Sequence, residues 1–245
     1  MRYKDQHRRG AFTLVELLVA ISITVVIVVL LARVFNAAAT QWQAADQRID
    51  SFRDSRAALQ IMARDFGRAD VGGDAQMLTL SDNDSTGQFA REAFVVAPVP
   101  NTGKSDMCTV GYYKSWDANS KTFTLKRLFR DSDATVTSLA KASPDFATLF
   151  TKDPAKEEDL AAYIWDLRFA PGTLADPETP TTNPSTKWRW LEVRFKAMSP
   201  NAARKLRNMP IDETTWADPT TSTYRTLILP NEQQFLTRIY LQQAP

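Results

Sequence analysis

RRGAFTLVELLVAISITVVIVVLLARVF occupies residues 8–35. How it is understood decides what the rest of the chain is attached to. From Leu17 to Ala32 no residue is charged, yet Glu16 stands at the head of the run. At roughly 1.5 Å per helical residue, about 20 apolar residues span the hydrocarbon core of a membrane. A carboxylate at the centre of such a helix costs roughly 2.5–3.5 kcal/mol, and less near the edge. Glu16 is therefore tolerable where it stands. Ionisable groups in membrane segments are functional candidates by default.

The same helical pattern continues outward. Residues 11–66 contain neither glycine nor proline, Gly67 ends the block, and all thirteen prolines lie at or after Pro98. The spacing predicts one helix from Phe12 to Arg68, about 85 Å long, which no compact globule would hide. Its first part, Phe12 to about Phe35, is apolar all round. Beyond that it becomes amphipathic. Trp42, Ala45, Ile49, Phe52, Leu59, Ala63 and Phe66 form a stripe, with Asp46, Arg48, Asp50, Arg53, Asp54, Arg64 and Asp65 covering the rest. That stripe predicts a face packed on the chain's own body.

The body reads mostly as strands. QMLTL (76–80), EAFVVAPV (92–99), AYIWDLRFA (162–170), WRWLEVRFKA (188–197) and FLTRIYL (235–241) have strand composition or alternation. CTVGYYKSW (108–116) and KTFTLKRLF (121–129) flank DANS and predict a hairpin. NAARKLRN (201–208) suits a short helix after Pro200. Residues 171–187 and 209–225, rich in Thr and Pro, read as surface loops. The expected fold class is α+β: a long N-terminal helix, then a mostly antiparallel sheet.

Composition narrows the chemistry. The 245 residues are 44% apolar and 24% charged with net charge +2, so bulk charge demands no acidic partner. Cys108 is the only cysteine, which rules out an intrachain disulfide. His7 is the only histidine and precedes the apolar run. A body without histidine cannot perform Ser–His–Asp or Cys–His catalysis or hold histidine-ligated zinc. The chain is not expected to be an enzyme, and no catalytic residue is assigned.

Three readings fit the N-terminus. In a secretory signal peptide, Ala37–Ala39 would offer the cleavage site and Thr40 would become the first residue. The helix, however, continues through that cut, and the charge-free run is long for such a peptide. In a plain anchor, the cluster Arg2, Lys4, Arg8 and Arg9 would outweigh Arg33 and keep the N-terminus inside. Neither reading uses Glu16. The third rests on GAFTLVELLVAISI, which resembles the cleavage and methylation signal of type IV prepilins and type II secretion pseudopilins: a basic leader, a small residue, then Phe-Thr-Leu-Val-Glu and an apolar helix.

That resemblance implies a leader removed by a prepilin peptidase, methylation of the new N-terminal residue, and a glutamate that neutralises a neighbouring subunit's amine. Two cuts are open. Cleavage after Gly10 makes Glu16 the sixth residue, and cleavage after Ala11 makes it the fifth, as in the family. Phe12 and Glu16 are i and i+4 on one helix face, whereas Ala11 and Glu16 are about 140° apart. The cut between Ala11 and Phe12, with methylation of Phe12, is therefore favoured. Glu16 is the assembly residue by this resemblance. The implied division is a cytoplasmic leader (1–11), a transmembrane and assembly helix (12–35), its amphipathic extension (36–70) and a periplasmic pilin-like head (71–245). The implied partners are the peptidase, other pilins or pseudopilins through the helix, the inner-membrane assembly platform, and lipid before assembly. RAALQIMARDFGRAD (56–70) and VGYYKSWDANSKTFTLKRLFRDS resemble J-type minor pseudopilins. LEVRFKAMSPNAARKL and FLTRIYL resemble the prepilin-type family called Verru_Chthon cassette protein C.

The remaining patterns favour plainer roles. SDNDSTG (81–87) starts like a calcium loop, but Ala93 stands where glutamate is needed and Glu92 is one residue off. A turn built by Asx hydrogen bonds is the better reading, and neither calcium nor any other cofactor is expected. Trp188 and Trp190, with Lys187, Arg189, Arg194 and Lys196 nearby, could stack on nucleic acid. Packing is far commoner for such a pair, and no nucleic-acid partner is expected. KEEDL (156–160) reads as a solvated helix start. Cys108 reads as a small buried hydrophobe.

Overall fold

The computed structural model describes residues 13–69, 78–83, 89–100, 105–140, 146–172, 188–209 and 229–241. The chain divides into two compact units, Met1–Asp46 and Gln47–Pro245. Helix α1 runs from Leu14 to Gly67 and contributes to both. In the first unit its apolar stretch is exposed on every side, from Leu14 through Phe35. It is the one helix among the described residues long and apolar enough to cross a membrane.

The second unit is built on an antiparallel sheet. Its strands are β1 (Leu78–Asn83), β2 (Ala90–Pro98), β3 (Met107–Asp117), β4 (Thr122–Arg130), β5 (Glu157–Gly172), β6 (Trp190–Met198) and β7 (Glu232–Tyr240). They lie side by side in chain order, each antiparallel to the next. The expected hairpin is β3–β4, with Trp116 opposite Phe123. β5 changes partners along its length. Its first half pairs with β4 and its second half with β6, while Phe169 also meets Ala90 of β2. The change falls near Tyr163, a non-glycine residue at φ 62°. A left-handed residue there fits a bulge that bends the strand.

One sheet face carries the main core. Period-two alternation sends Ala93, Val95, Val110, Tyr112 and Leu125 to the side where α1 packs. Phe66 touches Tyr112 and Phe169, and Phe52 touches Phe235, at ring separations of 5.3, 6.0 and 5.8 Å. Phe94, Tyr113 and Leu128 alternate to the other face and form their own cluster with Phe150. Helix α2 (Ser132–Leu139), which no sequence pattern announces, is capped by Asp131, whose side chain accepts from the Ala134 N–H at 3.0 Å. The short turn α3 (Phe146–Leu149) follows. Helix α4 (Pro200–Arg207) has Pro at its first position and Ser199 as cap, and it buries Ala202, Ala203 and Leu206 against Phe123 and Met198.

Two expectations need correction. The apolar stripe on α1 packs only from Phe52 onward, because Trp42, Ala45 and Ile49 are exposed. The buried face is Ser55, Ala58, Met62, Asp65 and Phe66, an arc of about 100°. It is rotated from the stripe, and it includes Asp65, which Tyr112 and Arg127 hold on the sheet side. KEEDL is not a helix start. Lys156 closes a 3-10 turn, and Glu157 to Leu160 begin β5. There Glu158 lies opposite Arg127 and Asp159 opposite Lys126, so cross-strand charge pairing holds these acids in a strand.

Candidate functional site

The first turn of α1 is organised by two side chains. Thr13 stands immediately before the helix. Its backbone N–H donates to Glu16 Oε2 at 2.9 Å, and its hydroxyl donates to the same oxygen at 3.0 Å. In return, Thr13 Oγ1 accepts from the Glu16 N–H at 3.3 Å. This reciprocal pattern is a capping box, which satisfies backbone donors that the helix itself leaves free. Glu16 therefore has a local structural role besides any role in assembly. Its signal in the sequence is Thr-x-x-Glu ahead of an apolar run. Gly10, Ala11 and Phe12 lie outside the described residues, as does the Phe12 end of the i, i+4 relation.

The apolar stretch satisfies its own polar atoms. Ser22 Oγ donates to the Leu18 carbonyl and Thr24 Oγ1 to the Ala20 carbonyl, each at 2.8 Å. A helix in lipid has no water to bond these hydroxyls, so internal bonds suit that surrounding. A stretch with 0% of its most apolar window buried matches a segment solvated by lipid or by other helices.

In the second unit α1 is seated by a buried ionic cluster. Asp65 is fully buried. Its Oδ2 accepts from Tyr112 Oη at 2.6 Å and from Arg127 Nε and Nη2 at 3.0 and 2.8 Å. Arg64 Nε reaches Oδ1 at 3.2 Å, and Arg127 Nη1 continues to Glu158 at 2.7 Å. A buried carboxylate is tolerable only when paired and hydrogen-bonded, as here. Burial, reinforced by the Asp65 charge, pushes the Tyr112 hydroxyl well above its ordinary range. Burial works against the Arg127 charge, but Tyr112, Glu158 and Asp65 together hold it charged more firmly than usual. Sequence reading assigned Asp65 to the polar cover. No local pattern marks it, because its partner lies 62 residues away.

The other sequence candidates resolve plainly. Trp190 is buried, and Trp188 packs at the edge of the main core, so the pair is a packing feature. Cys108 is buried in β3, with its Sγ 3.5 Å from the Val99 carbonyl, and burial raises its thiol pKa. Ser81, Asp82 and Asn83 lie in β1, while residues 84–87 of the SDNDSTG stretch and most of the two long loops fall outside the described residues.

Residues 6–32 match the family model of the prokaryotic N-terminal methylation motif, the type IV prepilin and pseudopilin signal. That motif implies cleavage by a prepilin peptidase and pilin-type assembly. Together with the exposed apolar helix, it fits a membrane-anchored protein. No curated protein matches the chain.

Proposed function

We propose that this chain is the precursor of a minor pilin-like subunit, closest in type to the J-type minor pseudopilins. It is stored in the inner membrane and assembled after processing into a pseudopilus or pilus that serves protein secretion. The observation that carries the reading is the methylation motif at residues 6–32 leading into an apolar helix exposed all round. Residues 1–11 are the cytoplasmic leader and residues 12–35 the membrane and assembly helix. Residues 36–70 extend that helix, and residues 71–245 are a periplasmic head. The peptidase cuts after Ala11, and Phe12 is methylated. Outside the membrane the apolar helix surface is hidden among other subunits' helices, and burial of that surface drives association. Glu16 then meets an N-terminal amine in the bundle. The size of the head suits a tip or initiation position. The chain does its work by assembly, not catalysis, with no cofactor in that role.

N-terminal mass spectrometry of protein extracted from membranes that contain the peptidase tests this. The expected N-terminus is methylated Phe12. Thr40 as first residue would sink the reading, and an intact Met1 would leave a single-pass anchored binding module. Glu16→Ala is expected to be cut normally yet to be depleted from filaments or tip complexes. Normal incorporation of that variant would remove the charge-compensation role.

A further inference from the structure

Beyond Phe35, α1 carries no charge until Asp46, where the first unit ends. Asn36, Thr40, Gln41 and Gln43 supply amides and a hydroxyl, and the rest of residues 36–45 is alanine apart from one large ring, Trp42. Trp42 is 77% exposed, and among the described residues its side chain makes no hydrogen bond or ring contact. Phe35 is 71% exposed and stands two helical turns earlier, about 20° away around the helix. Two aromatic rings thus share one stripe just past the apolar stretch. A tryptophan in water forgoes the burial that its large ring ordinarily gains.

Depth along the helix limits what this ring can meet. Trp42 follows Glu16 by ~39 Å of helix axis. A bilayer is about 30 Å across its hydrocarbon and about 40–45 Å with both headgroup layers. With Glu16 at the cytoplasmic edge of the hydrocarbon and an ordinary tilt of about 20°, the Trp42 Cα stands ~37 Å above that edge. The far headgroup layer covers about 30–37 Å on that scale. Helical side chains lean toward the N-terminus and cover the preceding turn. The indole therefore reaches back ~5 Å, into the headgroup layer. Arg33 is the only charge between Glu16 and Asp46 and lies on the opposite side of the helix from Trp42. It stands ~24 Å up on the same scale, and its long side chain snorkels the remaining ~6 Å to the same layer.

We infer that Trp42 is a lipid-binding anchor: before assembly its indole lies in the periplasmic headgroup layer, with Phe35 below it near the hydrocarbon edge. An indole suits that layer because its ring is apolar and its Nε1–H needs an acceptor, which ester and phosphate oxygens supply. The contact fixes how far α1 stands out of the membrane. A helix drawn outward takes the ring through the headgroups into water, so the anchor opposes extraction. The inference rests on the proposed function for membrane storage and for which end of α1 faces the periplasm.

The test uses the full-length precursor, without peptidase or assembly machinery, in vesicles of phosphatidylethanolamine and phosphatidylglycerol. The lipid acyl chains carry bromine either near the headgroup or near the chain end, and bromine quenches tryptophan by contact. The chain has six tryptophans, so the Trp42 signal is the fluorescence of wild type minus that of Trp42→Phe. Shallow bromine is expected to quench this signal strongly and deep bromine weakly. Trp42→Phe combined with Ile49→Trp moves the ring ~10 Å farther out on the same stripe, where it should escape both labels. Equal loss of fluorescence in wild type and Trp42→Phe would overturn the inference, as would stronger quenching by the deep label or undiminished quenching at position 49. A Trp42 ring packed on another copy's helix, away from lipid, gives the first of these results. Alkaline carbonate extraction separates the two levels. A protein that stays in the vesicles without shallow quenching of Trp42 overturns this inference alone, and one released by carbonate overturns the membrane storage on which it rests.

Discussion

Asp65 carries a full negative charge into the core, and the seat of α1 on the sheet depends on how that charge is paired. Tyr112 and Arg127 supply three hydrogen bonds to one oxygen. Asp65→Asn removes the charge and leaves Glu158 as the carboxylate that faces Arg127. The expected loss is about 3 kcal/mol, the low end for breaking a buried pair by removing one partner. Replacing both members with apolar residues, Asp65→Leu with Arg127→Met, should recover much of that loss, because no buried charge then remains uncompensated. Denaturant unfolding of the full chain in detergent checks both. Equal destabilisation by the single and double variants would contradict this account. At this scale Glu16 was legible as an awkward acid, and its Thr-x-x-Glu spacing could have been read as a cap. Asp65 was not legible. Periodicity places a carboxylate on the solvent side, and only the arrival of Arg127 from β4 reverses that.

Among the elements, those ruled by local sequence were readable in advance. The β3–β4 hairpin, β6, α4 and β7 follow alternation, turn residues and the Ser199–Pro200 start. Helix α2 was not readable. Its β-branched residues are weak helix formers. It is held instead by the Asp131 cap and by a Thr109–Thr135 hydroxyl contact at 3.0 Å. Two glycines show how neighbouring strands interlock. Gly111 lies opposite Phe94 in the register, and Gly172 lies opposite Trp190. In each case the aromatic ring fills the space a Cβ would need. Phe94 is buried and cannot swing away, so Gly111→Ala should cost about 1–3 kcal/mol by overpacking. Thermal unfolding should show the loss, and Phe94→Leu added to Gly111→Ala should lessen it. A Gly111→Ala protein as stable as wild type would mean that the ring is free to move.

For the molecule as a whole, alkaline pH probes the packing. Burial raises the hydroxyl pKa of Tyr112, and burial with the Glu157 bond raises that of Tyr113. Unfolded tyrosines ionise near pH 10, roughly their ordinary value. The native state keeps both protonated, so their contribution is complete below about pH 10 and is lost as pH rises above it. Melting temperature should be insensitive to these groups from pH 7 to 9, then fall from about pH 10, and Tyr113→Phe should soften the fall. A flat profile through pH 11 would show that neither ring is held neutral by the fold. Local sequence dictated the signal and the exposed apolar helix, because a run of side chains meets its solvent or its peptidase without help from distant residues. It also determined the α+β class, since strand alternation and turn chemistry are local. Which face of α1 is buried was a decision of the folded sheet. Burial there depends on side chains of the seven-stranded sheet, among them a partner 62 residues away. The same decision left Arg53, Arg56, Asp50 and Asp54 exposed, and neither polarity nor periodicity distinguished them from Asp65.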